Sequence, residues 1–387
     1  MLKIIIKNIT IMAVGILGCV GLTTSVANAN EPIKIGTFLS VTGGASFLGD
    51  PELKTMQMFI EDLNAKGGLL GRQVELVHYD TKGKAEEAGT FVKRLISQDK
   101  VDIIVGGSTS GNTMSVIKLI QKAEMPFISL AGASVIINPV KKWVFKTPHT
   151  DRGAVEKIFV DMKSRGLTKV GMLSGSGGFG KSCQKNANAL AGGAGIEILA
   201  DEKHGKGDTD MTPQITKIKN TAGVQTFLYC GFGATTSIVA KNVKQLGLNV
   251  PHYQTHGSAS MKFVKGAEGA AEGVRLPAAA LLVADQLAEN HPQKAITTAY
   301  KAAYESRFND SISTFGGHAY DGLLIATQAI ERAGSTNKEA VRAEIEKTSN
   351  LVGVDGIFSM SANDHLGLDK DSFVMVEVNN GGWKLVH

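Results

Sequence analysis

Along this chain, short β-branched runs alternate with longer segments whose apolar residues recur every three or four positions. Residues 33–39 (IKIGTFL), 73–80 (QVELVHYD), 101–105 (VDIIV) and 126–130 (PFISL) read as strands. The third is apolar at consecutive positions, as expected of a strand buried on both faces of a parallel sheet. Between them, 50–65, with Pro51 in its first turn, 84–98 and 112–123 read as helices. The order β-α-β-α-β-α-β predicts an α/β domain, a parallel sheet with helices on both faces.

The pattern then restarts. A short strand at 143–147 leads into Pro148. Helices at 151–165, 180–191, 212–220 and 234–246 then alternate with strands at 169–174, 196–200, 225–229 and 252–255. Residues 292–348 are mostly helical in pattern, and strands at 372–378 and 383–386 close the chain. Two α/β units followed by a mixed tail imply that the tail is shared between them.

In open parallel sheets, ligands bind beyond the carboxyl ends of the strands. That rule collects the loops SVTGGASFLG, GGSTSG and LAGAS from the first unit and GSGGFG, CGFG and THGS from the second. If the units face each other, these loops line one cleft, a common small-molecule site. In the loop after the third strand, Gly106 and Gly107 permit a sharp turn. Ser108, Thr109, Ser110 and Thr113 set hydroxyls beside the free N–H groups of a helix start, which suits a carboxylate. The same residue types also serve as plain helix caps.

A rival of another class comes from Gly175–Gly180, which matches G-x-G-x-x-G between a strand and a helix, with Asp201 and Glu202 following. That is the pattern of an NAD-dependent oxidoreductase. It sits in the second unit, not after the first strand. No G-x-S-x-G elbow or H-E-x-x-H site occurs, and the nine His are scattered. No cofactor, metal or catalytic group is therefore expected. Phe47, Phe179, Phe232 and Tyr320 read either as core aromatics or as cleft walls. For Phe47 and Phe179 a Gly-rich loop favours the second reading.

Composition changes the picture at the ends of the chain. Its 387 residues suffice for two domains, and the net charge of +5 is spread without a basic run dense enough for nucleic acid. Lys3 and Lys7, the apolar 9–20 and Ala27-Asn28-Ala29 form an export signal cleaved near Ala29. The apolar run is shorter than the ~20 residues of a membrane-spanning helix. Ile16-Leu17-Gly18-Cys19 loosely resembles a lipobox, leaving a lipoprotein as the weaker alternative. An oxidising compartment would allow Cys183 and Cys230 to pair. One lies near a helix start and the other at a strand end, and nothing in the sequence brings them within reach. Two unpaired, partly buried thiols are expected.

Together and in order, IKIGTFLSVTGGASFLGD, DLNAKGG, VDIIVGGSTS, PFISLAGAS, GGFGKS and AYDGL resemble the periplasmic Leu/Ile/Val-binding proteins. These are the solute receptors of branched-chain amino acid-type ABC importers, and the similarity covers nearly all of 33–387. The resemblance implies a two-lobed type I periplasmic-binding fold, each lobe an open, mostly parallel sheet with helices on both faces, joined by three hinge crossings. Lobe 1 would comprise 30–149 and 280–360, lobe 2 would comprise 150–279 and 361–387, and 1–29 would be the signal peptide. It also implies a periplasmic monomer that closes on its ligand and partners an inner-membrane ABC permease, with no enzymatic activity.

Carried over residue by residue, the family's carboxylate-binding serine falls on Ser110, in the loop that also holds Ser108. Its backbone contributors fall on Ala131 and Ala133, around Gly132, where Ala133 replaces a threonine. The covering tyrosine falls on Phe179, near Phe232. The first-loop aromatic falls on Phe47 or Leu48, and a late tyrosine on Tyr320. The glutamate that pairs a ligand ammonium falls near His256. Without that acid a buried α-ammonium is costly. His256 would instead offer a hydrogen bond or a positive charge, and Phe47 and Phe179 would offer ring faces. The expected ligand is a small carboxylate without an α-amino group, an aromatic or 2-oxo acid. The alternative is an amino acid paired by some other acidic residue.

Overall fold

The computed structural model describes residues 31–386, so the stretch expected to be an export signal, with its Cys19, lies outside the described residues. The first half of the chain runs β1 (Ile33–Leu39), α1 (Ser46–Ala65), β2 (Val74–Asp80), α2 (Ala85–Ser97), β3 (Ile103–Gly106), α3 (Ser110–Lys122), β4 (Phe127–Ser129) and β5 (Val144–Lys146). Its five strands are parallel, in the order β2-β1-β3-β4-β5. The apolar run of β3 has a simple cause. Ile103 and Val105 enter the core shared with α1, whereas Ile104 enters the one shared with α2 and α3. Each such side chain contributes roughly 1.5–3 kcal/mol on burial.

The second half runs α4 (Asp151–Ser164), β6 (Lys169–Gly175), α5 (Gly178–Ala194), β7 (Glu197–His204), α6 (Thr212–Asn220), β8 (Thr226–Cys230), α7 (Ala234–Gln245), β9 (His252–Gln254), α8 (Met261–Gly266) and β10 (Arg275–Ala279). The tail adds α9 (Lys294–Phe308), α10 (Thr314–Ala333), α11 (Lys338–Glu346), the hairpin β11 (Leu351–Val352) and β12 (Ile357–Phe358), then β13 (Phe373–Asn379) and β14 (Gly382–Val386). α10 and α11 bury their apolar faces on the first sheet. β13 and β14 join the second, whose order is β14-β13-β10-β9-β8-β6-β7, antiparallel only at β13 and β14. The chain therefore passes between the sheets three times: after β5, after β10 and before β13. This is a two-lobed, type I periplasmic-binding architecture. Among the described residues no helix is long and apolar enough to cross a membrane.

Several details differ from the sequence reading. The strand at Val144–Lys146, read where the pattern restarts, pairs with β4 in the first sheet and lies within the 30–149 expected for lobe 1. α1 begins at Ser46, so Pro51 lies one turn inside it, and Phe47 and Leu48 sit on helix, not in a loop. β10, not among the strands read from the sequence, contains Pro277. Its pairing with β9 is confined to Arg275 and Tyr253, which leaves the proline outside that ladder. Cys183 and Cys230, expected as free thiols, form a disulfide, and both are fully buried. α5 packs over β6 and β8, and this brings their Cα atoms to 5.8 Å.

Candidate functional site

The cleft forms where the carboxyl ends of β3, β4, β6, β8 and β9 meet. Leu48, Ser108, Thr109, Ser110, Leu130, Gly132, Pro148, Phe179, Phe232, His256, Gly257, Phe315 and His318 line its inner chamber. The lobes are shut against each other. Asn186 Nδ2 donates to Ser134 Oγ at 3.0 Å, Ser134 N donates to Asp151 Oδ1 at 2.9 Å, and Lys262 pairs with Asp50 at 3.1 Å. The volume open to the centre of a water-sized sphere is only about 30 Å³, space for a few waters. At Gly132 the walls approach closely. A Cβ there would lie 2.8 Å from His256 Nε2 and 3.0 Å from the Phe179 ring, so no side chain fits between the walls. A wider groove leads outward from Thr109 and Phe232 past Lys82 and Lys206.

On the first-lobe wall the hydroxyls both cap and line. Thr109 caps α3 by accepting from Asn112 N at 3.2 Å. Ser110 Oγ accepts from Ala133 N at 3.2 Å, and its own proton remains available to the chamber. Ser108 Oγ accepts from Ser40 N at 2.9 Å and bonds the buried Glu52. Ala131 and Ala133 stand behind the surface: their amides go to Ser129 Oγ and Ser110 Oγ, and Gly132 between them faces the chamber.

Beneath Gly132 lies Lys146, fully buried, whose ammonium donates to Gly132 O at 3.1 Å and His149 O at 3.3 Å. Burial pushes its pKa down to about 7, against the pull of Asp151. Burial likewise lowers His149 and His318 to about 3. His256 falls well below its usual range, first through burial and then through His149, Lys146 and His318. That burial favours the neutral imidazole and, of the two alternatives expected for His256, the hydrogen bond over the positive charge. His256 Nδ1 has no partner among the described residues.

His318 Nδ1 bonds Asp355. Burial raises the Asp355 carboxyl well above the carboxylate range. The roles in this pair follow the His318 tautomer: an Asp355 O–H donating to Nδ1 would leave the ring proton on Nε2, whereas an Nδ1–H donating to Asp355 would leave Nε2 as an acceptor.

The second-lobe wall is aromatic. Phe179, in the first turn of α5, meets the Phe232 ring edge-on at 6.0 Å and the His256 ring at 5.4 Å. Phe47 sits at the rim, 5.4 Å from Phe315 and 6.3 Å from Phe232, outside the inner chamber. Tyr320 lies on the opposite face of α10, against Phe59 and Tyr300, and does not reach the cleft. The same helix sends Phe315 and His318 into the chamber in its place. Sequence reasoning missed these two, along with Lys146, Glu52 and Asp355. For Phe315 and His318 the signal was available: they share one helix face, which Tyr320, two residues past His318, does not. The acids proposed as ribose ligands, Asp201 and Glu202, are engaged by Gln184, Asn188 and Lys217.

A family model described as "Periplasmic binding protein" matches residues 32–382. The leucine-, isoleucine-, valine-, threonine- and alanine-binding protein of Pseudomonas aeruginosa is 26% identical over 321 residues, 82% of this chain and 83% of that protein. An extracellular ligand-binding receptor from Rhodopseudomonas palustris HaA2 superposes with a TM-score of 0.86 at 26% identity, covering 92% of this chain and 100% of the other. The substrate-binding protein LivJ of a Streptococcus pneumoniae branched-chain amino acid transporter, in complex with isoleucine, gives 0.80 at 25%, covering 92% and 99%.

Proposed function

This chain belongs to the periplasmic binding protein family, and from that premise we propose that it is an exported solute receptor of a branched-chain amino acid-type ABC importer, specific for a small carboxylate that lacks an α-ammonium. An aromatic or 2-oxo acid fits best. One observation carries the ligand class: among the described residues, no Asp or Glu lines the inner chamber. Glu52 and Asp355 stand one layer behind, and burial raises both above the ordinary carboxylate range. An ammonium entering here would lose its water without gaining an anion, at a cost of several kcal/mol. A carboxylate would meet the Ser110 hydroxyl, the Nε2 proton of His318 and the start of α3. Phe179, Phe232 and Phe315 would cover its body.

Residues 30–149 with 280–360 would move as one lobe and 150–279 with 361–387 as the other, after removal of 1–29 near Ala29. A ligand larger than a few waters enters while the lobes are apart and is held as they close. The role is capture in the periplasm, as a monomer, and delivery to an inner-membrane permease.

A second reading keeps the amino acid named for the relatives. In its favour, Asp355 sits behind His318, so an ionised Asp355 holding the Nδ1 proton would turn Nε2 into an acceptor for an ammonium. Calorimetry with benzoate, 4-methyl-2-oxopentanoate and leucine separates the two. The first reading expects binding of one of the acids and no response to leucine. Tight leucine binding with silent acids would overturn it.

A further inference from the structure

Glu52 is wholly buried on α1. One carboxyl oxygen bonds Ser108 Oγ, and the other, Oε1, has no partner among the described residues. Ser108 Oγ already accepts the Ser40 N–H at 2.9 Å, and Ser108 lines the chamber. A hydroxyl has one proton to give and two lone pairs to fill. If Glu52 is ionised, it can only accept, so Ser108 spends its proton inward and offers the cleft no donor. If Glu52 is neutral, its own O–H donates to Ser108. Both lone pairs of Oγ are then filled, and the Ser108 proton can turn toward the chamber.

The surroundings favour the neutral acid. No cation pairs with Glu52 among the described residues, and burial raises its pKa to about 8. No charged group on α1, α9 or α10 shifts it: burial is what raises the carboxyl, opposed only by the bond to Ser108, its one side-chain partner among the described residues.

We propose that Glu52 is a positioning residue: as the neutral acid it forces the Ser108 hydroxyl to donate to the ligand carboxylate, and on losing its proton it takes that donor away. The proposal rests on the carboxylate reading and adds a sign to it. Affinity is full while Glu52 is protonated and falls as pH rises through its titration. A benzoate-type ligand stays ionised throughout that range, so its own titration contributes nothing.

Lys146 changes charge in the same range and would also weaken an anion as pH rises. A ratio of variants cancels it. The test measures the affinity of benzoate and 4-methyl-2-oxopentanoate from pH 6.5 to 9.5 for wild type, Glu52→Gln and Ser108→Ala. In Glu52→Gln the side-chain amide donates to Ser108 at every pH. The ratio of Glu52→Gln affinity to wild-type affinity should therefore rise about tenfold or more across the range, from near one, as expected for a charged hydrogen bond lost in wild type alone. Ser108→Ala should be weaker than wild type at pH 6.5 and converge on it at pH 9.5. A ratio that stays flat, or Ser108→Ala remaining equally weak at both ends, overturns the proposal while leaving the carboxylate reading intact. If neither acid binds wild type at pH 6.5, the carboxylate reading fails and this proposal fails with it.

Discussion

The two walls of the cleft are built by the same topological device and end in opposite chemistry. Each is the turn from a strand's carboxyl end into a helix. After β3 the turn is Gly-Gly-Ser-Thr-Ser, and Thr109 caps the helix with its side chain. After β6 it is Gly-Ser-Gly-Gly-Phe, and Gly177 precedes α5 with no side-chain cap. The first turn concentrates hydroxyls and free amides. The second strips polar side chains away and presents one ring. On the proposed reading the polar wall would select the charge of the guest, and the aromatic wall would cover its body. The second wall also has its own brace. Cys183 lies one turn beyond Phe179, Cys230 lies two residues before Phe232, and their disulfide ties the two ring-bearing segments together.

Removing that brace is the strongest way to break the asymmetry. The disulfide spans 47 residues, a loop whose closure stabilises by about 4 kcal/mol in the chain-entropy picture. Replacing both cysteines by alanine should lower denaturant stability by about that amount. Hydrogen exchange should accelerate in α5, β6 and β8 and stay slow in β1 and β3. Equal acceleration in both sheets would mean that the lobes unfold as one unit and that the brace is not local.

The polar wall is tested by Ser110→Ala. A hydroxyl donating to a buried carboxylate is worth roughly 1.5–3 kcal/mol, so the affinity for an acid should fall by about 10- to 100-fold. The uncharged amide of the same acid should lose much less. Because Ser110 Oγ also accepts from Ala133 N, a loss of the same size for acid and amide would point to a disturbed Ala131–Ala133 segment instead of a lost anion contact.

The sequence shows the two walls unequally. Strands buried on both faces announce themselves as β-branched runs, and the hydroxyl cluster at Ser108–Thr113 is contiguous, so the first sheet and its polar loop are readable. What escapes is whatever depends on distant segments meeting. Lys146 and Glu52 become site residues only because β5 ends and α1 begins beneath the same chamber, and nothing local distinguishes a buried lysine in VFK from a surface one. The Cys183–Cys230 bond needs the packing of α5 over β8. Tyr320 shows the converse error: carrying a family position over by alignment leaves the face of α10 unchecked, and that face belongs to Phe315 and His318.

The smallest effect expected is at Phe179, and it asks what kind of cover the second wall provides. Leucine at this position keeps most of the buried apolar area but removes the ring that meets His256 and Phe232 edge-on at 5.4 and 6.0 Å. Ring-on-ring contact adds about 1 kcal/mol beyond area burial. Phe179→Leu should therefore cost an aromatic acid roughly five-fold in affinity and leave an aliphatic 2-oxo acid nearly unchanged. The disulfide one turn away holds the backbone of α5 in place, so the comparison reads the side chain and not a shifted helix. If both ligands weaken equally, the wall acts through apolar area alone, and the contrast between the two turns reduces to polar against apolar, with no preference for rings.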